Sequence, residues 1–301
     1  MILETKEILE QVLAEGTLLR NQDKPARVLM VSPEHFRVEY AINPFMKDEA
    51  GDLNRVDEAR ARAEWTALKE TYEGLGLKVD VLEGASGQPD MVFSANQSFP
   101  FRTKGGAKSV VLGKMRSEFR RGEVPYFRDW YEKRGYRVHE LSGASVFFEG
   151  NGDALVQYPY NLIWGGYGHR TSRNAYSYLS ENLGFNIVPL ELDLDRHYHL
   201  DLCLSILNET TAVVFPEAFH PESLEMLKLG FPNLIEVSAR ENLEFSACNC
   251  HSPDGKHVIT HRGAKEFIAK LRDHGFSPIE VSTAEFLKSG GSVFCMKMMT
   301  F

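Results

Sequence analysis

The chain has 301 residues, 43% hydrophobic and 25% charged, enough for one large core or two modest domains. With 42 acidic against 34 basic residues, its net charge of -8 argues against nucleic acid, which needs clustered Lys and Arg. No apolar run is long enough for a membrane span, and the acidic start, MILETKEILEQVLAEG, does not read as a presequence. The four cysteines are too sparse for a disulfide framework, so a reducing cytoplasm is the expected compartment.

In chain order, the opening stretch MILETKEILEQVLAEG predicts an amphipathic helix with Ile8, Leu9, Val12 and Leu13 on one side. This helical extension, 1–27, lies outside everything that follows. It is expected to pack either on a partner subunit, giving a homo-oligomer, or on its own chain. Next comes YAINPFM, where Asn43 reads first as a cap for the turn at Pro44. From there one event recurs five times: an amphipathic helix, a glycine stop and an apolar strand. The junctions are LGLKVDVL, RGYRVHEL, LGFNIVPL, LGFPNLIEV and HGFSPIEV, with glycines at 76, 135, 184, 230 and 275. A glycine ends a helix in the left-handed conformation without steric cost. Trp65, Leu68, Tyr72 and Leu75 mark the buried face of the helix before Gly76, and Phe267, Ile268 and Leu271 that of the last helix.

After each glycine a second strand-like stretch carries an odd polar group. These groups are Asn96 in DMVFSANQ, Glu149 in VFFEGNGDAL, His199 with Asp201 in YHLDLCLSIL, Asn249 in FSACNCHS, and Cys295 in GGSVFCMKM. Five such units predict a radial α/β arrangement in which the polar groups converge on one axis. The competing arrangement is an open, doubly wound sheet. No GxGxxG follows a strand and no phosphate loop is present, which removes the usual nucleotide-binding readings.

Each polar group also has an ordinary reading. A lone cysteine in an apolar strand is usually a small buried hydrophobe, although Gly290 and Gly291 beside Cys295 allow close approach. His199 and Asp201, two residues apart on a strand, would share one face, where the carboxylate orients the imidazole. Glu149 and Asp153 in EGNGDA could simply form a turn. Arg170 after GGYGH suits a bidentate grip on a carboxylate, against a plain surface ion pair. Arg116 in MRSEFRRGE belongs to a charged, solvated loop by default. Cys248, Cys250 and His251 lack a second ligand pair, so no metal site is expected.

Taken together, PDMVFSANQ, MRSEFRRGE, FEGNGDA, GYGHRT, HLD and the glycine-rich run ending in Cys-Met resemble, in order, the guanidino-group-modifying (amidinotransferase-like) superfamily. The resemblance spans about residues 28–300. It is nearest to the bacterial arginine dihydrolases, through VSPEHFRVEYAINPFM, GEVPYFRDWYEKRGY, RHYHLD and FSACN. It implies a single catalytic domain over 28–301, folded as a five-bladed α/β propeller, acting on a small guanidino amino acid without metal or cofactor. Cys295 would be the nucleophile and His199 the acid and base. Glu149 and Asp201, with Asp153, would hold the guanidinium. Asn96 and Asn249 would line the site, and Arg170, Asn43 and Arg116 would hold the α-carboxylate.

Arginine deiminases commonly carry Asp where this chain has Asn96; Asn accompanies hydrolysis beyond citrulline to ornithine, carbon dioxide and two ammonia. The alternatives are an enzyme that stops at citrulline, a dimethylargininase, an amidinotransferase, or a binding propeller without catalysis.

Overall fold

The computed structural model describes residues 1–16, 18, 23–192 and 196–301. It is a mixed α/β fold in which, among the described residues, five small sheets succeed one another along the chain. Helix α1 (Lys6–Ala14) is capped by Thr5, whose hydroxyl accepts from the Ile8 N–H. The first unit holds β1 (Arg27–Val31), α2 (Glu58–Gly74) and β2 (Lys78–Leu82). The second holds β3 (Ser98–Arg102), β4 (Lys108–Leu112), α3 (Val124–Glu132) and β5 (Arg137–His139). The third holds β6 (Ala154–Val156), β7 (Leu162–Tyr167), α4 (Arg173–Leu183) and β8 (Asn186–Glu191). The fourth holds β9 (Leu204–Ile206), β10 (Thr211–Val214), α5 (Pro221–Gly230) and β11 (Asn233–Glu236). After α6 (Ala239–Phe245), the fifth holds β12 (His257–His261), α7 (Lys265–Asp273) and β13 (Ser277–Val281). A short α8 (Ala284–Leu287) leads to β14 (Met298–Thr300).

Every unit repeats one logic. A middle strand pairs in parallel with the outer strand that follows its helix, as a helical crossover requires. A short inner strand pairs antiparallel on the other side. In the fifth unit this inner partner is reduced to a bridge between His251 and Ile259. The first sheet takes its inner strand from the chain's far end: β14 lies against β1, with Leu29 opposite Met298. The middle strands are apolar runs, Val28–Val31, Val110–Leu112 and Ala212–Val214, buried on both faces.

Four of the five junction glycines take positive φ, from 74° at Gly135 to 82° at Gly76 and Gly275. Gly230 departs from the expectation. It is the last residue of α5, and a Cβ there would lie 2.1 Å from the Trp164 ring; its smallness serves close packing. The N-terminal segment joins its own chain. The Leu3 N–H donates to the Ile187 carbonyl, the Ile187 N–H donates to the Met1 carbonyl, and Leu3 and Leu9 enter the main core. Of the four residues placed on the apolar side of α1, Ile8 is instead exposed. No helix among the described residues is long and apolar enough to cross a membrane.

Candidate active site

The polar groups do not sit on strands, contrary to the sequence expectation. They sit on tight turns just before the inner strands. Asn96 follows the 3-10 turn Pro89–Val92 and Glu149 precedes Gly150–Gly152. His199 precedes Leu200–Leu202, with Asp201 inside that turn, and Cys295 lies in a turn ahead of β14. The two-residue spacing of His199 and Asp201 therefore does not carry the strand geometry expected of it. The turns nonetheless interlock. A Cβ on Gly152 would lie 2.3 Å from Asn96 Nδ2, and the Ala95 N–H donates to the Cys295 carbonyl at 3.1 Å.

They border a cleft of about 300 Å³ whose wall includes Asn43, Asp90, Asn96, Arg120, Arg170, Tyr198, His199, Gly290 and Cys295. The thiol is held from two sides. Cys295 Sγ–H donates to Asp201 Oδ2 at 3.2 Å, and Asn249 Nδ2 donates to the sulfur at 3.2 Å. The Asn249 side chain is a hub: its Oδ1 accepts from the backbone N–H groups of Ser292, Phe294 and Cys295, and its Nδ2 also donates to the Asp201 carbonyl. Burial, then the neighbouring Asp201 charge, pushes the thiol well above its ordinary range. Burial also raises Asp201 to about 7, against the pull of the Cys295 hydrogen bond and Lys297. Asp201 Oδ1 is buried and has no hydrogen-bond partner among the described residues.

His199 is anchored by Glu149, with Nε2 2.6 Å from Oε2. A carboxylate only accepts, so Nε2 carries the proton, and Nδ1 is left to accept from Asn96 Nδ2 at 3.4 Å. Burial keeps His199 below the usual histidine range and hence neutral, although Glu149 pulls the other way. Burial alone would raise Glu149, but the Arg170 guanidinium and His199 hold it well below the usual carboxylate range. Arg170 donates to Glu149 Oε2 at 3.1 Å and to the Ile42 carbonyl at 3.0 Å, and stacks over Tyr198.

Two expected site residues are placed elsewhere, and a third is there but engaged. The Asp153 carboxylate does not line the cleft; it accepts from Thr171 Oγ1 at 2.6 Å and from the Leu200 N–H at 3.0 Å, bracing the turn that carries Asp201. The Arg116 guanidinium lies outside, over Phe147 and donating to the Gly168 carbonyl; only its backbone N–H reaches the site, donating to Glu149 Oε1 at 3.0 Å. Asn43 lines the cleft but spends its amide structurally, accepting from the Phe45 N–H and donating to the Ser289 carbonyl. Nor do the glycines before Cys295 simply leave room for a substrate. Gly290 has φ +84°, and a Cβ there would meet Tyr198 Oη at 2.6 Å. Among the described residues no group of three or more potential ligands is placed to hold a metal.

Two wall residues were missed from sequence. Arg120 is buried, paired with Glu123 at 2.9 Å, and donates to Asn96 Oδ1 at 2.9 Å. Asp90 accepts from Tyr40 Oη and Ser289 Oγ, and burial raises it. Both stand inside the quoted motifs, PDMVFSANQ and MRSEFRRGE. For Asp90 the available signal was a lone charge between apolar neighbours; Arg120, beside Arg121 in a charged run, gave none.

The Cys295 thiol and the His199 imidazole line the cleft, with Asp201 and Glu149 buried directly behind them, and together with the relatives below they place the chain in one class: a guanidino-group hydrolase, which breaks a C–N bond of a linear amidine. Residues 32–301 match the family described as N,N dimethylarginine dimethylhydrolase, eukaryotic, and the chain belongs to that family. It is 36% identical over 280 residues to the N(G),N(G)-dimethylarginine dimethylaminohydrolase of Mycobacterium tuberculosis, covering 93% of this chain and 87% of that protein. It is also 33% identical over 274 residues to ArgZ of Synechocystis, a bifunctional arginine dihydrolase/ornithine cyclodeaminase, covering 90% of this chain but only 37% of that protein. The crystal structure of the product-bound N-terminal domain of ArgZ superposes with a TM-score of 0.85 at 32% identity, covering 93% of this chain and 98% of that domain.

Proposed function

We propose that this chain hydrolyses the guanidinium of free L-arginine through a covalent intermediate on Cys295, and continues past citrulline to ornithine. The observation that carries the reading is the orphan Asp201 Oδ1 beside the Cys295 thiol. A buried carboxylate oxygen without a partner is costly, and a guanidinium N–H satisfies it. The same cation supplies the positive charge that the thiol lacks in the empty site, so substrate binding itself favours the thiolate.

Each step then has its residue. With the substrate bound, the Cys295 thiol passes its proton to His199 Nδ1, and the thiolate attacks the guanidinium carbon, forming a C–S bond. His199, once protonated at Nδ1, gives that proton to the departing nitrogen, and ammonia leaves. It then takes a proton from water, which attacks the same carbon. The C–S bond breaks, giving citrulline and the free thiol. A second round on the ureido group releases another ammonia and a carbamate, which loses carbon dioxide to give ornithine. Among the described residues Arg170 uses only two of its five N–H donors, which leaves donors for the α-carboxylate. Asp90, oriented by Tyr40 and Ser289, is placed to take the α-ammonium.

Asn96 supports the second round. Its amide donates toward His199 Nδ1 while accepting from Arg120, and an amide can also donate to a neutral urea oxygen, which a carboxylate cannot. The five sheets, closed by β14 on β1, suit a five-bladed propeller with these turns facing its axis, and the free cysteines suit a reducing cytoplasm. The mycobacterial relative favours a second reading, removal of dimethylamine from dimethylarginine. Incubating the chain separately with arginine and with dimethylarginine, and quantifying ornithine, citrulline, ammonia and dimethylamine, decides between them. Citrulline accumulating from arginine with no ornithine rules out the dihydrolase reading.

A further inference from the structure

A second cavity, of about 680 Å³, shares no wall residue with the cleft. It lies at the other end of the inner strands. Phe99 and Pro100 of β3, Leu155 and Val156 of β6, Ile206 of β9 and Met299 of β14 all reach it.

The wall combines two properties. It is largely apolar, and its only formally charged side chains among the described residues are two lysines, Lys24 and Lys297. No carboxylate lines it, in a chain with eight more acidic than basic residues. Lys24 is exposed, at the mouth. Lys297 is 1% exposed, and among the described residues it makes no hydrogen bond or salt bridge. Its ammonium rests on the face of the Phe294 ring, 3.2 Å from the centroid. Among the described residues no anion pairs with it directly, although the Asp201 carboxylate and Cys295 act on its charge through space.

We propose that this cavity binds a small organic monocarboxylate, its carboxylate on Lys297 and its apolar body against Leu155, Ile206 and Met299. The single deep ammonium sets the charge of the ligand, and the apolar wall sets its body. Burial lowers Lys297 to about 7, so its charge is only partly kept at neutral pH in the empty cavity; a carboxylate partner restores it. Its wall residues are separate from those of the cleft, and Lys297 links the two electrostatically through Asp201.

Benzoate, with benzamide as its neutral isostere, tests this by titration calorimetry on the full chain. Benzoate is expected to bind at one site, at least tenfold more tightly than benzamide. Lys297→Met should lower the benzoate affinity at least tenfold. Lys24→Glu, a change at the exposed rim that the core does not feel, should lower it several-fold and leave turnover in the cleft unchanged. Equal affinity for benzoate and benzamide overturns the proposal, as does benzoate binding that neither substitution weakens, or no binding of benzoate to the unaltered chain.

Discussion

At the scale of single residues, the proposed chemistry depends on a thiol that is neutral in the empty site and a carboxylate poised near neutrality. Asp201 sits at about 7 because it is buried, and its ionised form is the one that receives a guanidinium. Protonation removes that form as the pH drops. The kcat/KM for arginine, which reports the free enzyme, should therefore fall about tenfold per unit below about pH 7. A flat profile from pH 8 to pH 5 contradicts this assignment. Cys295→Ser should abolish turnover with the fold kept, as read by circular dichroism; retained activity excludes the covalent route. Asn96→Asp should shift the products toward citrulline, with ornithine falling at least tenfold; an unchanged product ratio removes Asn96 from the second round. Sequence alone gave Cys295 and His199 only modest odds, because burial and pairing are not properties of a residue type. Arg116 and Arg120 stand four residues apart in one charged loop, and nothing local says which turns inward.

At the scale of elements, the helices were legible because apolar spacing and stop signals are local. Trp65, Leu68 and Tyr72 are all buried on α2, as their spacing required. What joins one element to another was not legible. Glu241, on α6, accepts from the Glu266 and Phe267 N–H groups and so caps the first turn of α7. Glu241→Ala should cost about 1–3 kcal/mol, because it strands two buried donors. Urea unfolding measures this, and a loss under 0.5 kcal/mol would show that water replaces the cap. The strand-like stretches bearing the polar groups proved to be turns, because a short apolar run reads alike in either form. The Gly230 stop was misread for a related reason: a glycine needed for a neighbour's ring looks like one needed for a left-handed turn.

At the scale of the whole molecule, the last strand completes the first sheet, with Met298 opposite Leu29 and Phe301 tied to Tyr136 in both directions. A fault at the end of the chain should therefore destabilise its beginning. Met298→Asp buries an unpaired charge at a fully buried position and should cost roughly 3–5 kcal/mol. Hydrogen exchange should show protection lost in β1 as well as β14; loss confined to 298–301 would mean the closure is dispensable. Sequence by itself determined the count of units, the helix faces and most residues that meet in the cleft, since periodicity, glycine stops and ordered motifs are written along the chain. Tertiary structure alone decided which charges face inward, why Asp153 braces a turn instead of facing the cleft, and that Asp201 keeps one oxygen unpartnered. It alone set Lys297 in a cavity without carboxylates. Those outcomes depend on desolvation and on partners from 18 to 94 residues away, and no local pattern encodes either.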